Sequence, residues 1–247
     1  MHQSVIDAWH RFSEPLEGRV RHFYVDVLGL VTAGVGNLAD PLSLALKMPW
    51  RRRDGSLAGA VEVSADWERI KANADELKTR HYKFAEPLTN VRLTDEDIDV
   101  MVLERLLANE AILRKSFPDW SSLPADAQLA LSSMSWAMGA GFTVKFPTFM
   151  SFAKVGDWFG AIPHSKIREA GNAGVVPRNR ANAVCFGNAA AVLAMGLPIT
   201  DLHWPSVLKA AQRTDDTAER VERAQLPLEL SDEELRAARD ETIRDEE

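Results

Sequence analysis

Residues 18–36, GRVRHFYVDVLGLVTAGVG, constrain the fold of this 247-residue chain more than any other stretch. Apolar and polar side chains alternate imperfectly through them, with Val20, Phe23, Val25, Val27, Leu30, Val31 and Val35 as strand-favouring positions. Gly29, Gly34 and Gly36 punctuate the run and permit turns, positive φ or close backbone approach. The pattern predicts a small hairpin. Upstream, Val5, Ile6, Ala8, Trp9 and Phe12 are spaced for a short amphipathic helix. Pro15 is expected to close that helix, because proline disfavours helical backbone in the residue before it. Glu17 is then expected just past the helix, with its carboxylate facing a cleft.

Two acids flank the start of the hairpin, Glu17 and Asp26, nine positions apart. Cleavage of a glycosidic bond requires an acid to protonate the leaving oxygen and a second carboxylate acting on the opposite face, as general base or as nucleophile. Glu17 and Asp26 are candidates for that pair. Their separation along the chain does not set their separation in space, but a chain reversal would bring them to face one another.

The string Glu17-Gly18, Tyr24, Asp26, Gly29, Thr32, Gly34 and Gly36 resembles, at every spacing, the active-site signature of the phage-type lysozymes, glycoside hydrolase family 24. The resemblance implies that Glu17 is the general acid, that Asp26 positions or activates the attacking water, and that Thr32 holds this water by its hydroxyl. It also implies inversion at the sugar carbon, with carboxylates about 6.5 to 9.5 Å apart. Where the family often has His after the last glycine, this chain has Asn37, which removes a structural ion pair and leaves the chemistry in place.

A second block follows the same family in the same order: Ala125-Asp126-Ala127 through Trp136-Ala137-Met138-Gly139, then Phe146, Trp158, Pro177 and Asn179-Arg180-Ala181. By this resemblance Trp136 lines the substrate cleft, Arg180 pairs with the catalytic acid, and His164 stands where the family has a polar residue that contacts substrate. An opposite charge and burial act on a carboxyl pKa in opposite directions, and a general acid needs its pKa matched to the working pH.

At 46 per cent hydrophobic, the chain can bury a core in one two-lobed domain or in two small domains. Cys185 is the single cysteine, so neither an intramolecular disulfide nor a cysteine metal site is available. The six histidines, His2, His10, His22, His81, His164 and His203, lack metal-ligand spacing. GxSxG, HExxH, P-loop and dinucleotide signatures are absent, and no cofactor or metal is expected. No apolar run reaches the ~18 residues of a membrane span. The start, MHQSVIDAWHRF, lacks a basic segment followed by a hydrophobic one, so synthesis without a signal peptide is expected. Action on the cell wall would then follow export, injection or lysis. The net charge of −7 would repel phosphate and argues against nucleic acid as a partner. Residues 229–247 contribute nine acids against three arginines, and Ser231 with Glu234 reads as a capping box for a short exposed helix.

Between the family-like blocks the chain is longer than a minimal phage lysozyme by about 30 residues, placed in an insertion over 41–92. There Trp50 adjoins Arg51, Arg52 and Arg53, a combination suited either to a glycan or anionic wall polymer or to a solvated basic turn, the second being favoured. A lid or an inhibitor-docking surface is equally compatible with the insertion. Ser64 is expected to cap a helix with Trp67, Ile70, Ala74 and Leu77 along one stripe. Thr94 with Asp97 starts another helix carrying Ile98, Met101, Val102 and Leu106, and the resemblance makes this the linking helix, about 94–116.

The expected fold is α+β and mainly α: a lysozyme-like domain over 1–228 with a hairpin lobe (13–92), a helical lobe (117–228) and a cleft between them, followed by an acidic tail. The expected function is a peptidoglycan muramidase cleaving the β-1,4 bond between N-acetylmuramic acid and N-acetylglucosamine. It would act as a phage endolysin or as a secreted antibacterial effector with a cognate immunity or inhibitor protein, and is expected to be monomeric. The alternatives are a lytic transglycosylase, a non-catalytic peptidoglycan-binding module, or a structural phage component.

Overall fold

The computed structural model describes residues 1–170 and 174–209. The acidic tail and the Ser231–Glu234 capping box lie outside the described residues. The protein is mainly helical with one small three-stranded antiparallel sheet. Its described residues form two compact units, one comprising 13–104 and the other 1–12 together with the residues from 105 onward. No helix among them is long and apolar enough to cross a membrane.

The first helix, α1 (Gln3–Glu17), is longer than its sequence predicts. Val5, Trp9 and Phe12 form its buried stripe. Pro15 lies inside the helix and does not end it. In the last turn a proline forfeits only its own backbone bond, and the ladder resumes at once: the Gly18 amide donates to the Glu14 carbonyl at 2.8 Å. Gly18 itself stops the helix, because its φ of 71° is a left-handed cap that needs glycine. Glu17 is therefore the last helical residue.

In the unit of residues 13–104, strands β1 (Val20–Val25), β2 (Val31–Gly34) and β3 (Asn37–Leu38) lie in chain order. Tyr24 pairs with Thr32 and Val25 with Val31, while the register shifts between Val20 and Tyr24. The hairpin therefore occupies the stretch that its glycines and alternation predict. Helices α2 (Leu42–Ala45), α3 (Ala60–Ala72) and α4 (Ala74–Leu77) and a 3₁₀ helix (Tyr82–Leu88) follow. Trp50 is 1 % exposed, packs tilted against Phe23 with ring centres 3.9 Å apart and donates its indole N–H to the Ala45 carbonyl. It is a core residue of this unit and cannot serve as a glycan platform. Arg51 is also engaged, holding both oxygens of Asp97 at 2.6 and 2.8 Å. That bidentate pair, with two bonds from Thr94, holds the Asp97 carboxyl down to about 2.

Helix α3 starts earlier than Ser64. Gly59 is its cap, and Glu62 reaches back to the Gly59 amide at 2.8 Å, so Ser64 sits within the helix. Val63 and Ile70 are its buried apolar residues. Asp66, 2 % exposed, anchors α3 to the segment behind it by accepting the amides of Asn90 and Val91. The helix α5 (Asp95–Ser116) opens where Thr94 and Asp97 exchange side chain to backbone bonds at 3.1 Å. Its residues Ile98, Val102 and Leu106 are buried.

In the other unit α6 (Ala125–Met138) is buried from Ala125 through Trp136 and packs against α10 (Val175–Met195). Between them in sequence lie the short helices α7 (Phe142–Lys145), α8 (Pro147–Ala153) and α9 (Trp158–Ala161). Phe149 and Trp158 both meet Phe186 of α10, with centroids 5.3 and 5.7 Å away. Asp126 is fully buried and accepts three bonds, from the amides of His203 and Trp204 and from Asn188 Nδ2. Burial pushes its pKa up, and the three donors oppose that shift.

Candidate active site

Glu17, Asp26 and Thr32 all lie in the unit of residues 13–104: Glu17 at the end of α1, Asp26 in the turn after β1 and Thr32 within the central strand β2. Glu17 is half-buried at the C-terminal end of α1. Two residues later Arg19 clamps the junction between α1 and β1. Its guanidinium donates to Glu14 at 2.8 Å, to the Asp95 carboxylate at 2.9 Å, to the Asp95 carbonyl at 2.6 Å and to Asp99 at 2.6 Å. These acids hold Arg19 firmly protonated against the opposing effect of its partial burial. Arg21 adds a second contact to Asp95. The backbone next to Glu17 is thus fixed by three acidic residues from two helices.

Asp26 organises the turn between β1 and β2. One carboxylate oxygen, Oδ1, accepts the amides of Leu28 at 2.9 Å and Leu30 at 2.8 Å. The Gly29 amide donates to the Asp26 carbonyl at 2.9 Å, and Gly29 holds φ at 79°, a conformation that costs glycine little. The other oxygen, Oδ2, accepts no hydrogen bond from the described residues. Thr32 is 4 % exposed, and its hydroxyl donates to the Leu30 carbonyl at 3.1 Å. Leu30 therefore joins the two side chains, since its amide is held by Asp26 and its carbonyl by Thr32. The one proton of the Thr32 hydroxyl is committed in this way, and the lone pairs of its oxygen remain to accept a bond from a water.

The turn is braced from behind by Lys71 and Asp40, which sequence reading did not single out. Lys71 on α3 donates to the Gly29 carbonyl at 3.2 Å and to Asp40 at 2.5 Å, and Asp40 also accepts the Val31 amide. Asn37 is 9 % exposed, and its Oδ1 accepts the Val35 amide at 3.2 Å. It thereby closes the bend after β2. Beside β1, His22 is 5 % exposed, and its Nε2 lies 3.1 Å from the Tyr82 carbonyl. Burial lowers its pKa, which favours the neutral ring.

The three residues assigned by resemblance to substrate binding lie in the other unit. Trp136 is 3 % exposed, lies 5.2 Å from Trp9, and has the Arg105 guanidinium 4.0 Å from its ring centre. Its ring is packed into the core of that unit, with no face left for a sugar. His164 is exposed, and its ring lies parallel to Phe152 at 5.4 Å. Arg180 is half-exposed on α10 and, after Asn179 and Lys166, helps to hold the Glu169 carboxyl below its usual range. The buried cation of α10 is Arg178, two residues earlier. At 4 % exposure it donates to the Ser133 carbonyl at 3.2 Å and to the Ser133 hydroxyl at 3.0 Å. Helical spacing signals this inward face, since Arg178, Asn182, Cys185 and Ala189 follow one another at intervals of three or four and are all buried.

Among the described residues no group of three or more His, Cys, Asp or Glu side chains is arranged to hold a metal ion. No protein-family model matches the chain, and no curated protein matches it either.

Proposed function

We propose that this protein is a peptidoglycan muramidase that hydrolyses the β-1,4 bond between N-acetylmuramic acid and N-acetylglucosamine, in the manner of the phage-type lysozymes its hairpin resembles. The observation that carries the reading is the division of labour within the Asp26 carboxylate. Oδ1 is spent on the turn while Oδ2 is left for a water, and the Thr32 oxygen, tied to the same turn through Leu30, can accept a bond from a water. An inverting glycosidase needs that arrangement on the face opposite the leaving group.

In this mechanism Glu17 donates its proton to the glycosidic oxygen as the bond breaks, and Asp26 takes a proton from the water that attacks the sugar carbon. Thr32 orients that water and undergoes no chemical change. The mechanism requires a protonated general acid and an ionised base at the working pH. The ion-paired Arg19 junction supports the role of Glu17, because a general acid acts only if its backbone is held in place.

Incubation of purified peptidoglycan sacculi with the wild-type chain and with Glu17→Gln tests the proposal. The wild type is expected to release fragments ending in reducing N-acetylmuramic acid, identified by mass spectrometry, and Glu17→Gln none. Anhydro-ended fragments would identify a lytic transglycosylase. Sedimentation with the wall and no release by either chain would leave a binding module.

A further inference from the structure

We infer that residues 78–84, beside the Asp26 turn, form a glycan-binding platform that extends the site along the peptidoglycan strand, an inference that rests on the muramidase reading. The segment borders the turn directly. A side chain built at Gly29 would meet the Lys78 stem at 3.9 Å, and Lys71 already holds the Gly29 carbonyl. From Lys78 the chain passes through Arg80 into His81 and Tyr82, whose rings lie 4.0 Å apart. Tyr82 in turn meets Tyr24 edge to face at 6.3 Å. Tyr24 is the cross-strand partner of Thr32, and directly paired residues share one face of a sheet. The rings of Tyr24, Tyr82 and His81 follow one another in a row that starts beside Thr32, and each of these residues is partly exposed.

Phe84, two residues beyond Tyr82, adds an exposed aromatic ring to this segment. The 3₁₀ helix buries its neighbour Ala85 at 1 % exposure, yet leaves the Phe84 ring 56 % exposed with the Arg80 guanidinium 5.3 Å from its centre. A pyranose ring has an apolar C–H face that packs on flat aromatic rings, while its hydroxyl and amide edges remain solvated; a surface of tyrosine, histidine and phenylalanine suits it. Lys83 is exposed among the rings and can meet the carboxylates of peptidoglycan's peptide stems, while Lys78 and Arg80 are already paired with Asp75 at 2.8 Å and Glu76 at 3.0 Å. The platform lies wholly within the 41–92 insertion apart from Tyr24, which gives that insertion a task.

The test uses the full chain carrying Glu17→Gln, so that binding is read without turnover, in sedimentation with purified sacculi and with sacculi stripped of their peptides by an amidase. Phe84→Ala in this background is expected to weaken binding to both about ten-fold, the size expected for removing one ring packed on a ligand. Phe84→Trp is expected to retain binding, which a merely structural role would not predict. Binding by Phe84→Ala equal to that of its parent would overturn the platform and leave hydrolysis by the wild type untouched. Loss of binding by Phe84→Ala together with a wild type that releases no fragments would uphold the platform and remove the hydrolytic reading.

Discussion

Substitution of Asp26 separates its structural task from its chemical one. Asp26→Asn keeps an acceptor oxygen at Oδ1, so the amides of Leu28 and Leu30 retain their partner and the turn survives. Asp26→Ala removes both bonds. At about 0.5 to 1.5 kcal/mol each, their loss should cost about 2 kcal/mol in stability, whereas Asp26→Asn should cost less than about 1 kcal/mol. For a chain of this size that places the melting temperature of Asp26→Ala about 4 to 8 °C below wild type, and that of Asp26→Asn within about 3 °C. Activity should follow a different order. Both variants lack the proposed base, so release of reducing ends from sacculi should fall about 10²- to 10⁴-fold in each, at a temperature where both are folded. Circular dichroism melts and a reducing-end assay on the same preparations measure the two effects. A well-folded Asp26→Asn that turns over sacculi at the wild-type rate would refute the assignment and leave Asp26 as a turn residue alone. An Asp26→Asn as unstable as Asp26→Ala would refute the account of the turn.

Three further outcomes follow from buried groups. Asp126→Ala strips the acceptor from three donors in the core of its unit and should destabilise the chain by about 3 to 5 kcal/mol, read from the denaturant midpoint. Because burial depresses the His22 pKa below its ordinary value of 6.5, the unfolded chain takes up this proton first as pH falls. The contribution of His22 to stability is therefore intact above pH about 6.5 and is lost as pH falls from there towards the depressed value; His22→Gln should flatten that part of the stability profile. Gly34→Ala forces a left-handed backbone, φ 66°, on a residue with a Cβ, and that Cβ would lie 3.1 Å from Asn37 Oδ1. A loss of about 1 to 2 kcal/mol is expected in a thermal melt, and more than that caused by Gly55→Ala, where φ is also positive and no atom lies within 4 Å.

The hairpin was legible because its determinants are local. Glycines at the turns, alternation between them and an acid that caps the reversal all lie within twenty residues, so the strands form where the pattern puts them. The same holds for the start of α5, where Thr94 and Asp97 satisfy each other's backbone. Local rules misled where packing or continuity outweighed them. Pro15 stays inside α1 because the cost of one missing bond near the helix end is small and Gly18 supplies the real stop. Trp50 reads as a surface aromatic beside three arginines, yet its indole fills the space above Phe23, and Arg51 turns to Asp97. The clamp on Glu17 was not visible at all, because Arg19 and Asp95 are far apart in sequence and meet only once the fold exists. Arg178 and Arg180 differ in burial: the motif match selected the half-exposed arginine, and the inward face of α10 carries the buried one.

The anomeric configuration of the newly formed reducing end tests the central claim most directly. On a soluble peptidoglycan oligosaccharide followed by proton NMR in the first minutes of reaction, attack by a water held between Asp26 and Thr32 on the face opposite the leaving group must give the α-anomer first, with the β-anomer growing in later by mutarotation. Initial formation of the β-anomer would contradict the account, because it requires a covalent intermediate or attack from the leaving-group face, and Asp26 would not be the base that activates water.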